Sequence, residues 1–285
     1  MKRKPLFFFF NHMMIFLVGC STLQQLADIQ KPQVSLDNVQ ITGLSFDDIS
    51  LMFDVAIENP NNLSVSLAGF EYDFLLNENS FIQGQMNEQL IIQAQSKSMV
   101  NVPVNMEFSN IYSNYKDIES KDSSSYQLNM GLYFDIPVIG KTRIPLSTQG
   151  SIPLIKFPEI KVTSLKLDDM SLTSAKLTLN VLLDNPNAIG LLLNQLNYSF
   201  VVNGNNWISG SNDTRQKIAQ NSKNNLEIPI QLNFLQMGQT AYGILTGNTN
   251  IEYSFKGLMN MEGNNNLLQN RDITIDQKGA LNIIK

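Results

Sequence analysis

Residues 55–85 read VAIENPNNLSVSLAGFEYDFLLNENSFIQGQ, and residues 181–211 read VLLDNPNAIGLLLNQLNYSFVVNGNNWISGS. They align without a gap at an offset of 126. Identities fall at Val55, Asn59, Pro60, Asn61, Leu67, Tyr72, Phe74, Asn77, Asn79, Ile82 and Gly84, which is 11 of 31 positions. The agreement spreads outward. Ile41–Leu51 (ITGLSFDDISL) matches residues 162–172 (VTSLKLDDMSL), which requires five extra residues in the second copy before the offset of 126 resumes. Downstream, Ser96-Lys97 and Val102-Pro103-Val104 match Ser222-Lys223 and Ile228-Pro229-Ile230. The copies close on Gly150–Ile155 (GSIPLI) and Gly279–Ile284 (GALNII). Self-similarity sustained over this length makes the body of the chain one unit written twice, at residues 36–157 and 158–285.

Each copy reads as β-structure. Leu51, Phe53, Val55 and Ile57 alternate with Met52, Asp54, Ala56 and Glu58, a period of two that turns one face inward. Leu177, Leu179, Val181 and Leu183 repeat it. Phe70, Tyr72, Phe74 and Leu76 alternate likewise, as do Leu196, Tyr198, Phe200 and Val202. Further alternating strands run over 100–108 and 226–234, with Pro103 and Pro229 inside them. Proline lacks the ladder donor, so both strands are expected at sheet edges. Turn-forming residues break the strands at Asn77–Ser80 and Asn203–Asn206. One short helix per copy is expected, near 109–118 and 235–245. Strands at this spacing without helix alternation predict a mainly β fold: two tandem antiparallel sandwiches of immunoglobulin or fibronectin type.

Asn59-Pro60-Asn61 and Asn185-Pro186-Asn187 each end a strand, each after an acid (Glu58, Asp184). Proline excludes the preceding Asn from the α region, and Asn side chains bond nearby backbone, so the triplet is a stop-and-turn device. A strand, then Glu/Asp-Asn-Pro-Asn, then a Tyr/Phe alternating strand and a Gly-bearing hairpin resembles the water stress and hypersensitive response domain of the late embryogenesis abundant group 2 family. The resemblance covers both copies. It implies a folded seven-stranded sandwich with one helix, an association with desiccation or stress, and no catalytic residues.

The N-terminus carries a different message. Lys2-Arg3-Lys4 precede an apolar run from Leu6 to Val18, 13 residues long, whereas a spanning helix needs roughly 20. The run ends in Leu17-Val18-Gly19, and then comes Cys20, the chain's only Cys. This resembles a bacterial lipobox: a signal peptide over 1–19, cleavage before Cys20, and acylation (palmitate among the chains) of that Cys at the head of a tether over 20–35. The alternative is a plain secretory signal with an incidental Cys. Ser21 after the Cys resembles the pattern sorted to the outer membrane, facing the periplasm.

Composition narrows the chemistry. The chain has 285 residues, 43% apolar, enough to bury a core. Its net charge is −5, and loss of Lys2, Arg3 and Lys4 leaves 17 basic against 25 acidic residues, a net −8. Such a chain offers no broad basic face to nucleic acid. The only His is His12, inside the signal, so the mature chain has no imidazole and no free thiol for a triad or a zinc site. No cofactor is indicated. Asp47-Asp48 and Asp168-Asp169 are expected in solvated turns before the Leu51 and Leu172 strands. Asp272 and Asp276 lack calcium-loop spacing and are expected on a strand. Trp207 stands where the first copy has Phe81, and a packing role is expected. The function expected is a non-enzymatic, membrane-anchored envelope lipoprotein with tandem stress-associated binding domains, its partners the membrane and other envelope proteins or lipids. The alternative is a carrier of lipid or another apolar ligand.

Overall fold

Leu51, Phe53, Val55 and Ile57 are at most 1% exposed, and so are Leu177, Leu179, Val181 and Leu183. The period of two therefore builds the cores directly. The structure, a computed structural model, describes residues 29–284 apart from 88, 119, 238, 248–249 and 266. The described chain divides into two compact units. One holds residues up to Thr42, Ser50–Asn105 and Ser123–Ile152, and the other Gly43–Ile49, Met106–Asp122 and Pro153–Lys285.

The first copy runs β1 (Gln33–Leu44), β2 (Asp48–Asn59), β3 (Val65–Leu76), β4 (Asn79–Met86), β5 (Leu90–Ile92), β6 (Ser96–Glu107), α1 (Phe108–Asn114), a 3-10 turn at Lys116–Ile118, β7 (Ser123–Ile136) and β8 (Gly140–Pro153). Its strands form a three-stranded sheet, β1-β2-β6, and a five-stranded one, β4-β3-β7-β8 with β5 also paired to β3. The sheets meet over an aromatic core. Phe53 of β2 lies edge-on to Phe74 of β3 and Tyr126 of β7, with centroids 6.3 and 5.6 Å away. Phe74 and Tyr126 stack at 5.4 Å. Each such ring taken fully from water contributes roughly 1.5–3 kcal/mol.

The second copy runs β9 (Glu159–Met170), β10 (Ser174–Asn185), β11 (Leu191–Val202), β12 (Asn205–Asn212), β13 (Gln216–Ile218), β14 (Ser222–Asn233), α2 (Phe234–Met237), α3 (Gln239–Thr246), β15 (Asn250–Gly263) and β16 (Arg271–Ile284). Here all the strands join one eight-stranded sheet, β12-β11-β15-β16-β9-β10-β14 with β13 on β11. The join is a short parallel contact, Ile283 to Leu165 and Ile284 to Lys166. One side of this sandwich is thereby closed. Among the described residues each copy has eight strands rather than the implied seven, a count that includes the three-residue β5 and β13.

Several local expectations meet their physical reasons. β6, with Pro103, and β14, with Pro229, are both edge strands, where the missing donor interrupts nothing. The β3–β4 and β11–β12 hairpins turn through two left-handed residues each: Asn77 (φ 48°) and Glu78 (φ 68°), Asn203 (φ 45°) and Gly204 (φ 81°). That is the two-residue turn whose twist suits a hairpin.

The five-residue insertion does not exist. β9 and β10 begin 126 residues after β1 and β2, so the offset holds straight through. The β1–β2 turn is closed by Ser45 N–H donating to Asp48 O at 2.9 Å, and the β9–β10 turn by Ser171 N–H to Ser174 O at 2.8 Å. Phe108 N–H reaches Asp47 O, and Phe234 N–H reaches Thr173 O. Thr173 and Ser174, not Asp168 and Asp169, are therefore the counterparts of Asp47 and Asp48. Asp168 and Asp169 lie on β9, and Leu172 is 85% exposed in the turn rather than starting a strand. A coincidence of letters, Asp-Asp-x-Ser-Leu, outweighed the true register.

Candidate functional site

The Asn-Pro-Asn triplets are the polar centres of the fold. Among the described residues the buried polar ones are Asn59, Asn61, Ser124, Asn185 and Asn187, so four of five belong to the triplets and none is ionisable. Asn59 ends β2 with its amide nitrogen donating to the carbonyls of Leu63 (2.8 Å), Ile92 (3.2 Å) and Gln93 (3.0 Å). Its oxygen accepts from the backbone N–H of Asn61 at 3.1 Å and from the Asn61 amide at 2.9 Å. Pro60 supports this geometry by holding Asn59 extended, so that the chain folds back two residues on. Asn185 copies the arrangement, donating to Ile189 O and Ala219 O at 2.9 Å each and accepting from Asn187 at 3.1 and 3.0 Å.

The second Asn reaches further. Asn61 Oδ1 accepts from Gln30 N–H at 2.7 Å while Asn61 Nδ2 donates to Gln30 O at 2.9 Å. Asn187 does the same to Lys156, at 2.7 and 2.9 Å. A side-chain amide thus pairs with both polar groups of one backbone residue and pins the segment leading into each copy. Neither partner was predicted, because a backbone contact leaves no residue-type signature. The one available signal was that Gln30 and Lys156 also stand 126 apart.

Both amides are wholly engaged within the fold, so the clasp is architecture and presents nothing to a ligand.

The carboxylates raised by sequence do not converge. Asp48 Oδ1 accepts from the Ser45 hydroxyl at 2.7 Å. Asp168 is bonded by the Thr178 hydroxyl at 2.6 Å and Lys166 at 3.0 Å, and these bonds hold its carboxyl below the usual range. Asp272 accepts from Asn260 at 2.6 Å, and Asp276 lies 3.9 Å from Lys256; both Asp272 and Asp276 are on β16, as expected. Among the described residues no group of three potential metal ligands occurs. Trp207 is 5% exposed on β12, as a packing residue should be, although its Nε1 has no partner. Leu17, Val18, Gly19 and Cys20 lie outside the described residues.

One polar groove of about 460 Å³ opens on the outer face of β3, β4, β7 and β8, lined among others by Glu71, Tyr72, Asp73, Asn129 and Arg143. Gly131 makes room in it: a Cβ there would fall 2.4 Å from the Arg143 guanidinium, whereas Tyr72, paired with Gly84 and the buried Met130, turns its ring to the other face of the sheet. Arg143 Nε and Nη2 both donate to Glu71 Oε1, at 3.1 and 3.0 Å, and the guanidinium stands 6.0 Å over the Tyr133 ring. Tyr133 and then Arg143 hold the Glu71 carboxyl below the usual range. Sequence reasoning missed this site because its parts come from four strands.

Tandem antiparallel β domains, each stitched by a buried Asn-Pro-Asn amide clasp, define the class of the fold. The late embryogenesis abundant protein family model matches residues 54–150 and 180–264, spans that include both triplets, and the chain belongs to that family. A desiccation-related protein of Arabidopsis thaliana is 30% identical over 131 residues, 46% of this chain and 79% of the relative. The late embryogenesis abundant protein Lea14-A of Gossypium hirsutum is 28% identical over 138 residues, 48% of this chain and 91% of the relative. The solution structure of an Arabidopsis thaliana protein aligns at 25% identity and a TM-score of 0.38, over 45% of this chain and 85% of that one. Each relative thus aligns with about half of this chain.

Proposed function

We propose that this is a lipid-anchored bacterial envelope protein whose tandem domains, without catalysis, bind or shield envelope components under water stress. The observation that carries it is the fate of the buried polar groups. The triplet amides are spent inside the fold, so the chemistry left to present is the polar outer surface. Relatives bearing desiccation in their names supply the stress context. Leu17-Val18-Gly19-Cys20 supplies the anchor, and Ser21 favours the outer membrane on its periplasmic side. A processed Cys carrying several acyl chains anchors stably, where a single chain binds only marginally.

The experiment pairs two measurements. Wild type should enter the detergent phase on phase partitioning and preserve a drying-sensitive test enzyme through dehydration. Cys20→Ala should leave the detergent phase yet keep the protection. Loss of protection with anchoring intact would remove the stress reading, and unchanged partitioning of the mutant would remove the anchor. A stoichiometric apolar ligand in the lipid extract of the Cys20→Ala protein would favour the carrier instead.

A further inference from the structure

We propose that the triplet end of the first copy is a membrane-contact surface. Leu63, Ile91, Val138 and Ile139 enter the headgroup–acyl boundary of the bilayer that holds Cys20. The proposal rests on the anchored reading above and adds which surface the anchor turns to the lipid.

These four are large apolar side chains left exposed, Ile91 to 59% and Val138 to 71%. Scattered exposed apolar residues are ordinary, whereas grouped ones mark a contact surface. The ladders group them. Ser66 of β3 pairs with Ile91 of β5 on one side and with Asp135 of β7 on the other. Leu63 lies three residues before Ser66, its carbonyl held by Asn59, and Val138 lies three residues after Asp135. In antiparallel strands both steps run off the same end of the sheet.

The β7–β8 turn presents its apolar residues against backbone preference. Ile139 N–H donates to Pro137 O at 2.8 Å, and Val138 between them has φ 70°. That is a γ-turn of the rare, strained kind, and a β-branched residue suits it poorly. Strain of this sort concentrates where a side chain is held for a function.

The occupant follows from the chain that precedes this end. Asn61 clasps both backbone groups of Gln30, which fixes the lead-in beside Leu63. Cys20 stands ten residues earlier. Ten residues reach at most on the order of 35 Å, so an acylated Cys20 keeps this end close to the bilayer. Anchoring also raises the local concentration, so a patch too weak to bind alone suffices. Exposed Lys31 and Lys141 are matched by exposed Glu58 and Asp135. The contact is therefore apolar and needs no anionic lipid. In the second copy Lys217 pairs with Leu192 as Ile91 pairs with Ser66, and residues 264–270 replace the γ-turn. The patch in this form belongs to the copy that follows Cys20.

The test couples the mature chain, through the thiol of Cys20, to a maleimide lipid in phosphatidylcholine vesicles with brominated acyl chains. That fixes it to the bilayer whether or not cells acylate it. In a Trp207→Phe background, Val138→Trp should lose most of its emission to the bromines, equally at low and high salt. Lys217→Trp should lose none. Adding Ile91→Lys should restore much of the Val138→Trp emission. Amide exchange over 137–141 in the unsubstituted chain should slow on the vesicles, a readout free of the added indole. Val138, Ile91 and Lys217 are exposed, so their variants fold. Unquenched Val138→Trp, equal quenching at both positions, quenching abolished by salt, or unchanged exchange would each overturn the proposal. The anchored reading fails separately, if wild type stays out of the detergent phase.

Discussion

The two copies share a clasp and differ at a seam. In the second, the end of β16 pairs with β9, and the Gln277 side chain reinforces the join by accepting from Val162 N–H at 3.2 Å and donating to Ile160 O. In the first, β1 and β8 belong to separate sheets. Aligned through Gly150 and Gly279, Thr148 stands where Gln277 does, and it is too short for a two-bond bridge. The β1 positions on the inward face show the consequence. Ile160, Val162 and Leu165 are buried on β9, whereas Val34, Leu36 and Val39 stay partly exposed on β1. Duplication kept the element that each sandwich needs internally and let the rim and outer face diverge.

The largest expected effect tests the shared element. Asn59→Ala strips three carbonyls and the Asn61 amide of their partner in a buried place. The loss should be about 3 kcal/mol or more, since each orphaned buried group costs about 1–3 kcal/mol. Asn185→Ala strips two carbonyls and the Asn187 amide, one carbonyl fewer, and should cost about 2–3 kcal/mol. Thermal unfolding of the two variants is the measurement. A loss under half a kcal/mol in either would show that water replaces the clasp.

Next comes the seam. Gln277→Thr, which gives the second copy the first copy's residue, should cost about 1–2 kcal/mol for two hydrogen bonds to β9. It should also speed hydrogen exchange at Val162. The reciprocal Thr148→Gln should gain nothing where β8 has no ladder to β1. Equal effects of the two changes would mean that the seams do not differ.

The alternation at Leu51–Ile57 and its repeat were legible because side-chain direction in a strand is fixed by parity, and the buried residues are those the parity selects. Edge placement followed from the chemistry of Pro103 and Pro229. Legibility ended where structure depends on contacts between distant strands. Asp168-Asp169 misled because two acids carry little information beside the β9–β10 ladder of ten paired residues. The grip of Asn61 on Gln30 spans 31 residues and touches only backbone. The groove needed the relative placement of Glu71, Gln85, Asn129 and Arg143 on four strands.

A smaller effect concerns the hairpin turns. Both central residues of the β3–β4 turn are left-handed, and Glu78 occupies the place where the second copy has Gly204. A side chain in that conformation costs roughly 1 kcal/mol. Glu78→Gly should therefore stabilise the first copy by about half to 1 kcal/mol, read as a raised midpoint in denaturant. An unchanged midpoint would mean that the gain is offset by the freer unfolded chain.

The smallest effect separates the outer faces by pH. Glu71 has its carboxyl held below the ordinary value of 4.5 by Tyr133 and Arg143, while Asn197 at the matching place in the second copy cannot titrate. A depressed folded-state value means that the folded protein binds the proton less readily than the unfolded chain. The stability this contributes is fully present above pH 4.5. It fades as the pH falls through 4.5 toward the lower folded value and is gone below that. Glu71→Gln should flatten this part of the acid limb of stability against pH, whereas Asn197→Asp, which lacks the arginine partner, should not recreate it. Because the Glu71–Arg143 pair is half-exposed, salt should weaken the difference. Denaturant titrations at several pH values below 5, in low and high salt, measure it. Identical acid limbs for wild type and Glu71→Gln at low salt would show that the pair is already open to water and that Glu71 does not hold Arg143 in place.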